Sequence, residues 1–235
     1  MFQVLSPQET EGPVFFVISI LDALAGRIDR VIGATALKPS LRAQLLSEQI
    51  RALVQMTPAM TFGAGFIALL LLGVAFETER FSSMLVWSAA LIATLVVGSR
   101  TWWLSRNSQE RKTAATPQGF RRAVVNALFL GALWGAVPVL LMPVDDGGVR
   151  LTTGVAVAGL LCATGLAFSV LPMVAIAFTL PVLIGSAWSL FYLPDGSNAV
   201  PLAFLLVCFA LVVPFISVRM ARNFIQRFMS ETRIL

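Results

Sequence analysis

Residues 151–194 read LTTGVAVAGLLCATGLAFSVLPMVAIAFTLPVLIGSAWSLFYLP, 44 positions without a charged side chain. A helix rises 1.5 Å per residue and the hydrocarbon core of a bilayer is about 30 Å thick, so about 20 residues make one crossing and this run makes two. Pro172 lies near its middle. Proline lacks the N–H that continues a helix and disfavours helical geometry at the residue before it, so the run is predicted to divide at Ser169 to Pro172 with almost no loop. Working outward, charges bound four further windows, 52–76, 81–99, 123–144 and 196–218, of 25, 19, 22 and 23 residues. Each is one span. The predicted spans are Ala59 to Phe76, Ser83 to Trp103, Ala123 to Met142, Leu151 to Val170, Met173 to Leu193 and Val200 to Val218. The polar alternation of β-barrel strands is missing.

Composition agrees. The chain has 235 residues, 57% hydrophobic and 12% charged, with a mean hydropathy of +0.85, against about 25% charged in soluble domains. The reading is an all-α integral membrane protein: a six-transmembrane-helix bundle (58–218), an N-terminal amphipathic helical segment (1–57) at the cytoplasmic face or interface, and a C-terminal cytoplasmic connector helix (219–235). There is no histidine, which removes histidine-ligated haem, the usual zinc and copper sites, and Ser-His or Cys-His nucleophile pairs. Cys162 and Cys208 fall inside apolar runs without histidine or acid nearby and read as small hydrophobes. No cofactor and no metal is expected.

Orientation follows from the flanks. Six spans place both termini on one side, which carries 15 of the 17 basic residues and seven acids; the opposite side has Arg80 and Arg150 with five acids. The basic side is therefore predicted to be cytoplasmic. The basic balance implies attraction to membrane lipids with anionic headgroups, and no motif supports nucleic-acid binding. The N-terminal segment lacks the basic region and cleavage site of a signal peptide. From Val17 to Ile32 apolar positions recur at helical spacing, predicting an interfacial helix, and a second helix is predicted from Ser40, as N-cap, to Met56.

No acid or base lies mid-span, which argues against ion pathways and coupled transport. The intramembrane polar groups, including Ser88, Thr94, Asn126, Thr164, Thr179, Ser186 and Ser189, are expected to back-bond to helix carbonyls or to join neighbouring helices. Small residues repeat every four positions at Ala127, Gly131 and Gly135 on the third span and at Gly159, Ala163 and Ala167 on the fourth, predicting close helix approach on both. Pro138, Pro181 and Pro214 interrupt three helices. Trp134 sits mid-span, where its indole N–H needs a partner. With no buried charge, any small molecule bound is expected to be lipophilic, entering near Trp134, Thr164 and Trp188, the candidate ligand-binding residues. Asp145 and Asp146 with Gly147-Gly148 read as turn chemistry ahead of a cation site. Beyond Arg219 the positions Ala221, Ile225, Phe228 and Leu235 approach a heptad spacing, so a short dimeric stalk competes with a single membrane-lying helix.

Three stretches carry a resemblance: Ser47 to Leu53 (SEQIRAL), Leu128 to Val137 with its Gly-Ala-Leu-Trp-Gly, and Pro172 and Pro181 around Ala177-Phe178. From Ser40 onward the chain resembles the N-terminal multi-span sensory regions of bacterial diguanylate cyclases and phosphodiesterases (GGDEF/EAL proteins) and of hybrid histidine kinases; Val218 to Leu235 resembles the connector they place before a PAS or GGDEF module. The resemblance implies a homodimeric input module in the bacterial inner membrane, passing signal to a cyclic-di-GMP enzyme or kinase by changes in helix packing. There is no GGDEF, EAL or kinase signature, so no catalytic residue carries over and no enzyme activity is expected of this chain. The competing reading is a stand-alone transporter-like or scaffold membrane protein.

The topology is testable. In a cysteine-free background, single cysteines at Asp146 and Ser108 should react with an impermeant thiol reagent from outside and inside respectively. The reverse pattern would overturn the six-span map.

Overall fold

The structure, a computed structural model, describes residues 26, 39–107, 117–168, 170–192 and 199–232; among these it contains six long helices and no strand. They are α1 (Pro39–Val74), α2 (Phe81–Asn107), α3 (Pro117–Leu141), α4 (Gly147–Ala167), α5 (Pro172–Leu190) and α6 (Ala199–Thr232). All six are long and apolar enough to cross a membrane, as in a multi-pass membrane protein. The predicted helix 17–32, the loop 194–198 and the side chains of Trp102, Trp103 and Phe228 lie outside the described residues.

The uncharged run divides where its proline predicts. Helix α4 ends at Ala167 and α5 begins at Pro172. Leu171 is kept out of helical geometry, as a following proline favours, with φ −125° and ψ 84°. The turn is closed by the Leu171 N–H donating to Phe168 O at 2.9 Å, and Pro172 sits at the helix start, where its missing N–H costs nothing.

One boundary differs from expectation. The predicted helix 40–56 and the first span are a single helix, which begins at Pro39, continues through Pro58 and reaches Val74. Pro58 leaves the Val54 carbonyl without its helical N–H donor, yet the helix continues through it; on either side Thr61 donates to Thr57 O at 2.9 Å and Thr57 to Leu53 O at 3.4 Å. Helix α6 likewise runs unbroken past Arg219. At 36 and 34 residues, α1 and α6 are about 54 and 51 Å long, so each projects about 20 Å beyond a 30 Å hydrocarbon layer.

Helix α5 is the most enclosed element. Pro172 to Ala175, Ala177 to Thr179, Val182, Ser186 and Ser189 are all buried, with α3 as the principal neighbour and α6 and α4 completing the surround. The α3–α5 crossing is set by glycine. A Cβ on Gly131 would overlap the carbonyl oxygen of Phe178, one on Gly185 would overlap that of Gly135, and one on Gly135 would stand 2.5 Å from that of Pro181. No residue but glycine fits at this separation. The ladder on the third span is thus the packing surface it was predicted to be.

The ladder on the fourth span is not. Gly159 and Ala163 are exposed, with nothing near the Cβ position of Gly159. Helix α4 instead packs through Val149, Thr153, Val157, Leu160, Leu161, Thr164 and Gly165. Its larger residues recur at i, i+4, i+7 and i+8 on the buried side, and van der Waals contact with them outweighs the closer approach that the small face would allow. The two glycine classes therefore predict opposite outcomes. Gly131→Ala, Gly135→Ala and Gly185→Ala should each destabilise the bundle by about 1–3 kcal/mol or more, whereas Gly159→Ala should change stability by less than about 0.5 kcal/mol. Unfolding in mixed detergent–denaturant titrations measures the difference.

Candidate functional site

The three residues predicted to bind a ligand occupy different environments. Trp134 on α3 is 1% exposed and Thr164 on α4 is 2% exposed, while Trp188 on α5 is 55% exposed and lies beside Tyr192, with ring centroids 6.1 Å apart. The Thr164 hydroxyl donates to its own helix at Leu160 O, 2.6 Å away. None of the three lines the cavity found in the bundle core.

Trp134 belongs instead to an aromatic pair that reasoning from sequence missed. Its ring meets Trp87 of α2 edge to face, with centroids 5.3 Å apart and planes at 74°. The Trp87 Nε1–H donates to Leu133 O across the α2–α3 interface at 2.6 Å. Among the described residues Trp134 Nε1 is buried without a partner, as are the hydroxyls of Ser217 and, contrary to expectation, of Ser88 and Thr179. The other intramembrane hydroxyls back-bond as expected: Thr94 to Ala90 O, Thr153 to Val149 O, Ser186 to Val182 O and Ser189 to Ser186 O, at 2.7–2.8 Å.

The core cavity lies among α3, α4, α5 and α6. It has a volume of about 30 Å³ and is walled by apolar side chains such as Pro138, Leu161, Leu202 and Phe209, with Ser186 and Ser189 as its polar members. That is room for a water or two. Beyond the cavity, at the acidic end, Asp146 caps α4, accepting from the backbone N–H of Gly148 at 2.7 Å and of Val149 at 3.3 Å. Asp145 accepts from Arg150 Nη2 at 2.8 Å, and Arg150 Nε donates to Val144 O at 2.9 Å. Both carboxylates thus serve the turn, and no cluster of potential metal ligands occurs among the described residues.

A long-range polar contact lies at the basic end. Gln49 of α1 is 6% exposed, and its amide donates to Val170 O at 2.9 Å, a link across 121 residues to the turn between α4 and α5. That carbonyl lies just outside α5, whose first turn leaves it free. One helical turn earlier on α1, Leu45 is buried in a small cluster with Ala221 and Ile225 of α6, flanked by Val218 and Phe224. Leu45 and Gln49 share one face by their i, i+4 spacing. Two positions of the predicted stalk seam, Ala221 and Ile225, are therefore buried within a single chain. Sequence offered one signal for Gln49, an uncharged amide at i+4 from Leu45 between the charged Glu48 and Arg51; its partner was beyond reach.

Comparison with known protein families, with curated proteins and with solved structures finds no match.

The tryptophan pair gives a contrast that stability measurements resolve. Trp87→Phe removes a hydrogen bond and should cost about 1 kcal/mol beyond the loss of ring volume. Trp134→Phe removes a buried donor that has no partner, so it should cost less than Trp87→Phe. Thermal unfolding in detergent compares the two.

Proposed function

We propose that this chain is a noncatalytic transmembrane input module that senses or anchors on behalf of a cytoplasmic output domain, with both termini cytoplasmic in a bacterial inner membrane. The observation that carries the reading is the junction at the basic end, where one face of α1 meets both the α4–α5 turn through Gln49 and the extension of α6 through Leu45. The turn opens onto α5, the helix most deeply enclosed in the bundle. A shift of α5 therefore acts on α1 and, one helical turn away, on the part of α6 that leaves the membrane. This is the geometry a helix-packing signal needs. Absence of a charge from the middle of every span favours this role over coupled transport. The sequence resemblance to the sensory regions of cyclic-di-GMP enzymes and hybrid kinases points the same way, and a homodimer and a lipophilic ligand belong to the same proposal.

A catalytic reporter tests it. A diguanylate cyclase catalytic domain fused after Leu235 should change its cyclic-di-GMP output by about fivefold or more when Gln49→Leu or Ile225→Ala is introduced, the lower end of typical coupling between sites. The same domain on an unrelated anchor is the control. Output equal to the parent in both variants, at equal abundance in the membrane, would reject the reading.

A further inference from the structure

One face of α3 is built in the order of a phospholipid. Arg122, Val125, Asn126 and Phe129 lie at i, i+3, i+4 and i+7, and all are exposed, with Arg121 exposed beside them. Arg121, Arg122, Val125 and Asn126 together form one open, exposed face of the helix near its basic end. Neither guanidinium has an acid partner and the Asn126 amide has no hydrogen bond among the described residues.

The depth of Asn126 makes this arrangement informative. From Asn126 to Leu141 at the far end of α3 is 15 residues, about 22 Å of helix, and the chain stays apolar beyond Leu141 as far as Val144. That is less than the hydrocarbon thickness of about 30 Å, so Asn126 lies inside the apolar layer at its basic edge. Arginine reaches water from such a position along its long stem, but the short amide does not. An amide facing lipid tails without a partner is costly, and no partner for it occurs among the described residues.

We infer that this face is a binding site for the headgroup of an anionic glycerophospholipid. Arg121 and Arg122 hold the phosphate, Asn126 donates to an oxygen of the phosphate or glycerol ester just above it, and an acyl chain lies along Val125 and Phe129. Guanidinium recognises phosphate through paired N–H donors, and a negative headgroup neutralises two adjacent cations. A second copy of this chain seated here by two-fold symmetry would oppose four guanidiniums, which disfavours a protein occupant. Lipid binding at this face is independent of any role in signalling.

Native mass spectrometry of protein released from nanodiscs containing equal phosphatidylglycerol and phosphatidylcholine tests the assignment. The parent should retain phosphatidylglycerol in preference. Each guanidinium near an anionic headgroup is worth roughly fivefold, so Arg121→Gln with Arg122→Gln should lower that retention by about 25-fold. Asn126→Leu should lower it by a smaller factor, and Arg219→Gln on α6 should leave it unchanged. These positions are exposed, and circular dichroism of each variant should match the parent. Undiminished retention in the double arginine variant would overturn the site. Displacement of the lipid by millimolar inorganic phosphate would overturn the lipid assignment in favour of a soluble anion. Conversion of a dimer to a monomer by Asn126→Leu would overturn it in favour of a second copy.

Discussion

The backbone contact between α3 and α5 is the constraint on which the rest of the bundle depends. In a bilayer an apolar helix face gains little by leaving lipid for another helix, because the tails are as apolar as leucine; association rests on close van der Waals contact. Gly131, Gly135 and Gly185 supply that contact by bringing each backbone against carbonyls of the other helix. Once α3 and α5 are fixed at this separation, the side chains around the crossing interdigitate. Phe168 and Phe178 meet with ring centroids 5.8 Å apart, and Val137, Leu141, Leu161, Val174 and Val182 are buried nearly completely. The crossing also determines where the α4–α5 turn sits, and hence where Gln49 finds its carbonyl.

Legibility in the sequence followed the range of each interaction. The division at Pro172 was readable because it depends on two adjacent residues, and the six spans because hydrocarbon thickness is a property of the membrane alone. The glycines of α3 were readable as a surface for close approach, but not their partner, since the Phe178 and Pro181 carbonyls and Gly185 are contributed by another helix. The same pattern on α4 misled for that reason: spacing identifies a small face without revealing what faces it, and the larger face of α4 was the one buried.

The candidate site was less legible still. Trp134 was rightly marked as a side chain whose N–H needs a partner, yet the partner-rich indole turned out to be Trp87, which reaches Leu133 O across the α2–α3 interface. Trp188 was grouped with Trp134 as a candidate, but near the end of α5 its side chain is 55% exposed. Continuity through Pro58 was missed because proline was read by its behaviour in water, where a freed carbonyl and a broken ladder end a helix. In lipid the alternatives to helix are worse, so the chain carries on through the lost rung.

The unevenness of packing bears on where such a bundle moves. Half of the apolar window of α5 and 44% of that of α3 are buried, against 11% for α1 and for α6. Displacing a helix costs the contacts it leaves, so the central pair resists change while the two longest helices shift at small cost. Both carry a proline within the span, Pro58 and Pro214, and each proline removes one rung of the backbone ladder. Helix α6 packs along α5 and α4, and α1 along α2 and α4; at the basic end the two are further held by one long-range hydrogen bond and one cluster of three buried apolar side chains. A single amide–carbonyl bond contributes about 1 kcal/mol net. A bond of that size biases one arrangement of α1 against the α4–α5 turn over another by about fivefold.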